Sequence, residues 1–203
     1  MLDPQARALI DLMVARQVPP VHTLSPQDAR RMYLERRGFT QPAPPPVGEV
    51  RGLQTDTGVP LRLVRPQALG VKPVLVYFHG GGWTLGDLDT HDVLCRQLCA
   101  AADVAVVAVD YRLGPEHRFP AAVDDCLAAT RWVQQQAAGL GLDATRLALG
   151  GDSAGGNLAA VVALLMRDAG DAPAACQLLI YPATDMRASA PSHIHNGQGY
   201  MLT

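Results

Sequence analysis

Four short runs of apolar residues, 73–78, 104–109, 146–149 and 177–181, constrain the fold of this chain more than any other feature. A strand with one wet face alternates apolar and polar side chains. A run without that alternation belongs to a strand covered on both faces, the condition of a parallel sheet. Helical stretches over 91–102, 120–138 and 154–169 fill the intervals. Regular strand-helix alternation predicts an α/β fold with a mostly parallel, doubly wound sheet. The 203 residues suffice for one such domain.

The segment before residue 72 has a different texture. Leu2, Ala6, Leu9 and Met13 recur at helical spacing. A second helix is expected after Ser25, a natural N-cap, with Pro26 in its first position, Asp28 three residues past the cap, and an end near Gly38. The proline-rich stretch 41–46 can neither continue a helix nor enter a ladder, so it is a stiff connector. It places a boundary between residues 1–45 and a core of 46–203. Two strand candidates, 47–55 and 61–65, flank a turn at Asp56-Thr57-Gly58 and predict a hairpin.

Composition removes several functions. Seventeen basic residues stand against 19 acidic ones without clustering, so nucleic acid is not an expected partner. No apolar stretch is long enough for a membrane span, and the Met1-Leu2-Asp3-Pro4 start does not read as a signal peptide, so a cytoplasmic location is expected. Cys95, Cys99, Cys126 and Cys176 read as buried thiols. No metal is expected, because Cys95 and Cys99 share a helical face but lack further ligands at partner spacing.

Two motifs carry chemistry. Gly151-Asp152-Ser153-Ala154-Gly155 lies where the third apolar run meets a helical stretch. A serine at such a strained turn projects its hydroxyl above the sheet, and the helix N-terminus favours developing negative charge. His79-Gly80-Gly81-Gly82-Trp83 directly follows the first run, and its consecutive glycines expose backbone N–H groups able to receive an oxyanion. The plain alternatives are a glycine-rich strand-to-helix turn for the first, which its place at a strand end disfavours, and a flexible loop for the second; the pair in this order points to acyl transfer. A phosphate-binding reading of residues 150–156 fails, because neither the required lysine nor a GxGxxG spacing is present.

These motifs, with Asp110-Tyr111-Arg112-Leu113-Gly114-Pro115-Glu116, Phe119-Pro120-Ala121-Ala122, Gly156-Asn157 and Tyr181-Pro182, resemble those of the bacterial hormone-sensitive-lipase-like esterases of the α/β-hydrolase fold. The resemblance covers nearly the whole chain and departs at Gly114, where alanine is usual. It implies that Ser153 is the nucleophile, that the N–H groups of Gly81, Gly82 and Ala154 form the oxyanion hole, that Trp83 lines the substrate pocket, and that the N-terminal helices join a cap. It implies a small-molecule ester of short acyl chain as substrate and no cofactor; oligomeric state stays open. Residues 110–116 read as a salt-bridged structural turn.

A serine hydroxyl needs a histidine base oriented by an acid, in the chain order serine, acid, histidine. Fifty residues follow Ser153. Asp185, His193 and His195 lie there in a polar, turn-rich stretch read as a solvated loop, and His22, His91 and His117 read as surface or structural. The acid and base are therefore expected beyond Thr203, leaving an inactive fragment whose sheet lacks its last strands. The competing class is a non-catalytic small-molecule binder on the same scaffold.

Overall fold

The structure, a computed structural model, describes residues 2–187 and 189–200. The hairpin forms as expected: β1 (Glu49–Gln54) pairs antiparallel with β2 (Pro60–Arg65). The four apolar runs become β3 (Lys72–Phe78), β4 (Ala105–Val109), β5 (Leu142–Asp152) and β6 (Cys176–Ile180). One six-stranded sheet has the order β1-β2-β4-β3-β5-β6, parallel from β4 onward. The long helices are α4 (Asp92–Ala102), α5 (Ala121–Gln136) and α6 (Ala154–Ala169).

Strand periodicity explains the unbroken apolar runs. Val74, Val76 and Phe78 of β3 join a core shared with α5 and α6, while Leu75 and Tyr77 enter a second core with Cys95 and Cys99 of α4. Strand β4 divides in the same way, with Ala105, Val107 and Val109 on one face and Val106 and Ala108 on the other. Each fully buried Val, Leu or Phe contributes about 1.5–3 kcal/mol, so neither face tolerates a polar residue cheaply. Register also aligns the strand ends: Phe78 stands opposite both Val109 and Gly151, and Asp152 opposite Ile180. The loops after β3, β4, β5 and β6 therefore leave from one edge of the sheet.

This sheet and its helices lie in a compact unit, Arg30–Ala183. A second unit comprises the described residues up to Ala29 and from Thr184 onward. It holds α1 (Pro4–Ala15), a 3₁₀ turn at Val21–Thr23 and α7 (Pro191–His195). Asp3 caps α1 through its bond from the Gln5 amide at 2.8 Å. An apolar hollow of about 420 Å³ is lined by Ile10, Met13, Val18, Pro19 and Tyr200. No helix among the described residues is long and apolar enough to cross a membrane.

Helix α2 (Pro26–Glu35) starts where Ser25 predicts, with the Asp28 amide donating to Ser25 Oγ at 3.1 Å. Its end is subtler. Gly38 lies inside a further helical turn, α3 (Arg37–Thr40), and it is the proline run from Pro42 that stops helical structure, because a residue before proline is driven to extended backbone. Cys176 is exposed rather than buried, since it opens β6 at the sheet edge, with β5 on one side only. The stretch expected as a loop at 187–197 contains the exposed turn of helix α7, nucleated by Pro191.

Candidate active site

Strand β5 ends at Asp152 and α6 begins at Ala154, leaving Ser153 as a one-residue joint with φ 53° and ψ −115°. Such a left-handed non-glycine residue costs about 1–3 kcal/mol and persists only where its surroundings enforce it. Here the Ser153 amide donates to the Ile180 carbonyl at 2.9 Å, and the Ser153 carbonyl accepts from Asn157 and Ala183 amides at 3.1 Å each. The glycines make the bend fit. A Cβ on Gly155 would overlap the Phe78 carbonyl and stand 2.7 Å from that of His79, and one on Gly151 would overlap the backbone of Gly155. Helix α6 therefore starts flush against the end of β3. Ser153 is half-buried between buried Asp152 and Ala154. The Ala154 amide, first in its helix, has no acceptor one turn back.

Because β3 and β5 are parallel neighbours, the glycine loop emerges beside this joint. The Gly80 amide donates to Asp152 Oδ1 at 2.9 Å, and a Cβ on Gly80 would clash with the Asp152 carboxylate. Gly81 (φ +124°) and Gly82 (φ +60°) turn the chain back, with the Gly81 carbonyl accepting from Leu85 at 2.8 Å and Thr84 at 3.1 Å. Their own N–H groups make no hydrogen bond among the described residues. Trp83 is half-buried and packs against the core.

The outer side of the loop is pinned by Arg30. Its guanidinium donates to the carbonyls of Thr84 at 2.8 Å and Gly114 at 2.7 Å and pairs with Glu116 at 2.7 Å. The Gly114 amide in turn donates to the Trp83 carbonyl at 2.8 Å. With Arg112 gripping buried Asp125 at 2.8 Å, residues 110–116 are the salt-bridged turn that their sequence suggests. Burial, with Asp87 adding to it, pushes the Asp110 carboxyl up to about 6.

Behind the two loops lies a buried polar cluster that sequence reasoning missed. Asp152 Oδ1 receives Tyr77 OH at 2.7 Å and faces His91 Nε2 at 3.3 Å, in addition to the Gly80 amide. Burial pushes this carboxyl up, but the hydrogen bond and charge of His91, with the Tyr77 and Gly80 donors, outweigh it and hold Asp152 below the ordinary carboxylate value. His79 stacks on Tyr111, with ring centroids 4.3 Å apart, while Tyr111 OH donates to the His79 carbonyl at 2.7 Å. His79 Nδ1 donates to the Gly80 carbonyl at 2.8 Å, and Nε2 is buried without a partner among the described residues. Burial, reinforced by His91, pulls the His79 imidazole down to about 4, so the ring is neutral. His91 stands at the N-cap of α4, and no local pattern marks it as different from a surface histidine.

The remaining candidates lie in the other unit. Asp185 is exposed and engaged by Arg187 at 2.9 Å, and His193 and His195 are exposed on α7. Burial raises the Cys95 and Cys99 thiols, the latter to about 11, which keeps both protonated.

A mostly parallel sheet with a left-handed serine between strand and helix, and a glycine loop after the adjacent strand, defines the nucleophile-elbow class of α/β proteins. Comparison with known proteins narrows this. The alpha/beta hydrolase fold family matches residues 75–203. Carboxylesterase NlhH of Mycobacterium tuberculosis is 50% identical over 147 residues, 72% of this chain and 46% of that protein. The ethyl acetate hydrolase of Pseudomonas putida is 40% identical over 215 residues, covering 99% of this chain and 67% of the relative. Among solved structures, the ester hydrolase EH1AB1 from the Lake Arreo metagenome, complexed with a bipyridine phosphonate derivative, superposes with a TM-score of 0.94 at 42% identity, over 100% of this chain and 67% of that one. The chain belongs to the α/β-hydrolase family, among its hormone-sensitive-lipase-like esterases. It spans about half the length of the mycobacterial carboxylesterase.

Proposed function

We propose that this protein hydrolyses small carboxylic esters of short acyl chain through an acyl-enzyme on Ser153. The observation that carries the reading is the apposition of two loops: the strained serine and the unbonded Gly81 and Gly82 amides leave adjacent strands and are tied together by Asp152. Ser153 Oγ attacks the ester carbonyl, and the carbonyl oxygen becomes an anion received by the N–H groups of Gly81, Gly82 and Ala154. Each fixed donor contributes about 3–4 kcal/mol. The Ser153 proton passes to the base and from it to the departing alkoxide, which leaves as the alcohol; water then gives a proton to the base, its oxygen takes the acyl group away as the acid, and that proton restores the Ser153 hydroxyl. None of these steps needs a cofactor. The half-buried Trp83 bounds the substrate pocket, and the likeness to the ethyl acetate hydrolase of Pseudomonas putida supports small esters as substrates.

Among the described residues, no imidazole is hydrogen bonded to the Ser153 hydroxyl. Base and acid are therefore groups that the described residues do not hold against Ser153, and the 203 residues alone are expected to turn over about 10⁶-fold more slowly than a complete site. The same observation favours a second reading, a non-catalytic binder of small molecules on this fold.

The two are separated on the full gene product by fluorophosphonate labelling and hydrolysis of p-nitrophenyl acetate. The esterase reading expects both signals and their loss in Ser153→Ala. Saturable binding of small esters with neither signal would establish the binder instead.

A further inference from the structure

We propose that Asp152 and His91 form a buried ion pair that holds the Gly80–Gly82 loop in register with Ser153, which makes both of them positioning residues for the oxyanion donors. The inference rests on the esterase reading for its effect on turnover, though not for the existence of the pair.

Asp152 is covalently adjacent to Ser153, and Gly80, whose amide it accepts at 2.9 Å, is adjacent to Gly81. One carboxylate oxygen therefore sets the separation between nucleophile and loop through a single hydrogen bond. Tyr77 OH, at 2.7 Å on the same oxygen, comes from β3 beneath the loop and fixes the carboxylate from below. The Gly80 Cα lies so close that no side chain fits between loop and carboxylate, so the spacing has no slack.

Thr90 Oγ1 has one proton, and the Asp87 carbonyl, which can only accept, lies 2.9 Å from it. The same oxygen already accepts from the Asp87 amide at 2.9 Å and stands 2.9 Å from His91 Nδ1. Every bond at Thr90 is satisfied only when His91 Nδ1 carries a hydrogen. On the opposite side of the ring, Nε2 lies 3.3 Å from the Asp152 carboxylate, whose negative charge favours a proton on that nitrogen. His91 thus carries both ring protons and is a cation facing an ionised Asp152. Its side chain and that of Asp152 are each 9% exposed, so the pair is screened from water and leaving one partner alone would be costly. The neutral state of His79, whose ring centroid lies 5.4 Å from that of His91, fits a positive neighbour.

The test combines spectroscopy with kinetics on the full gene product. Imidazole ¹⁵N shifts at neutral pH should show His91 with two protonated nitrogens. Asp152→Asn should lower kcat about 100-fold with KM nearly unchanged, the pattern of lost transition-state contacts. His91→Leu should lower it at least about tenfold, and both should speed hydrogen exchange at the Gly80 amide. Val162→Ala, in the core face of α6, is the control for general destabilisation and should leave kcat and Gly80 exchange as they are. A singly protonated His91, or Asp152→Asn and His91→Leu variants no slower than Val162→Ala, would overturn the clamp. If Ser153→Ala keeps hydrolysing ester, the esterase reading fails instead, and the nitrogen shifts and Gly80 exchange still judge the pair.

Discussion

Gly155→Ala tests the contact on which the site geometry depends. The new methyl would overlap the Phe78 carbonyl oxygen and stand 2.6 Å from its carbon and 2.7 Å from the His79 oxygen. These are backbone atoms at the end of the central strand, so no side chain can swing aside. To reach ordinary van der Waals distance, the start of α6 must retreat from β3 by about 1 Å. Overpacking of this kind costs about 1–3 kcal/mol, here at the upper end, while replacing a helical glycine by alanine returns about 1 kcal/mol. The net expectation is a loss of about 2 kcal/mol, or roughly 1 M in the urea midpoint at a typical slope of about 2 kcal/mol/M. The same retreat separates Ser153 from the Gly81 and Gly82 amides, and a displacement of about 1 Å costs about 100-fold in turnover. Gly52→Ala, on exposed β1 with nothing within 4 Å of the added methyl, is the control and should shift stability by less than about 1 kcal/mol. Urea melts followed by fluorescence and p-nitrophenyl ester kinetics measure both effects. A Gly155→Ala variant matching Gly52→Ala in midpoint and kcat would refute the interlock.

Two further expectations concern stability. His79 titrates near 4 when folded and near 6.5 when unfolded, so the unfolded state binds more protons between those values and folding stability falls as pH drops through that window, by roughly 3 kcal/mol in all. Asp110, raised to about 6, works the other way, contributing stability at low pH that is lost as pH rises through 6. Thermal melts of wild type and His79→Asn between pH 7 and 4 should therefore show a difference that narrows as pH falls; a constant difference would contradict a buried neutral His79. Asp125→Ala removes a 5% exposed carboxylate that accepts from the Arg112 amide at 2.9 Å and its guanidinium at 2.8 Å. Since Arg112 faces solvent and is not left stranded, the loss should be about 2 kcal/mol by chemical denaturation; no measurable change would show that the turn after β4 is held by other contacts.

The sheet was legible because its strands had no choice of face. Residues 73–78 and 104–109 lack any polar alternation, and in the fold both their faces enter cores. The two motifs were legible because glycine spacing reports backbone demands directly: Gly81 and Gly82 have positive φ, and Gly151 and Gly155 have no room for a Cβ. Local pattern misled where the deciding neighbour was distant or of another kind. The proline run, rather than Gly38, ends the helical segment, and Cys176 is exposed because its strand lies at an edge.

The chain's own residue order thus determined which segments are strands and where the chain must bend, because those follow from side-chain period and from the absence of a Cβ. Tertiary structure alone decided that Asp152 is a hub for Tyr77, Gly80 and His91, that Arg30 pins the glycine loop 54 residues away, and that His79 is buried and neutral. Those properties depend on burial and on partners far apart in the chain. No local pattern encodes them, since the desolvation and hydrogen bonds responsible exist only once the strands have assembled.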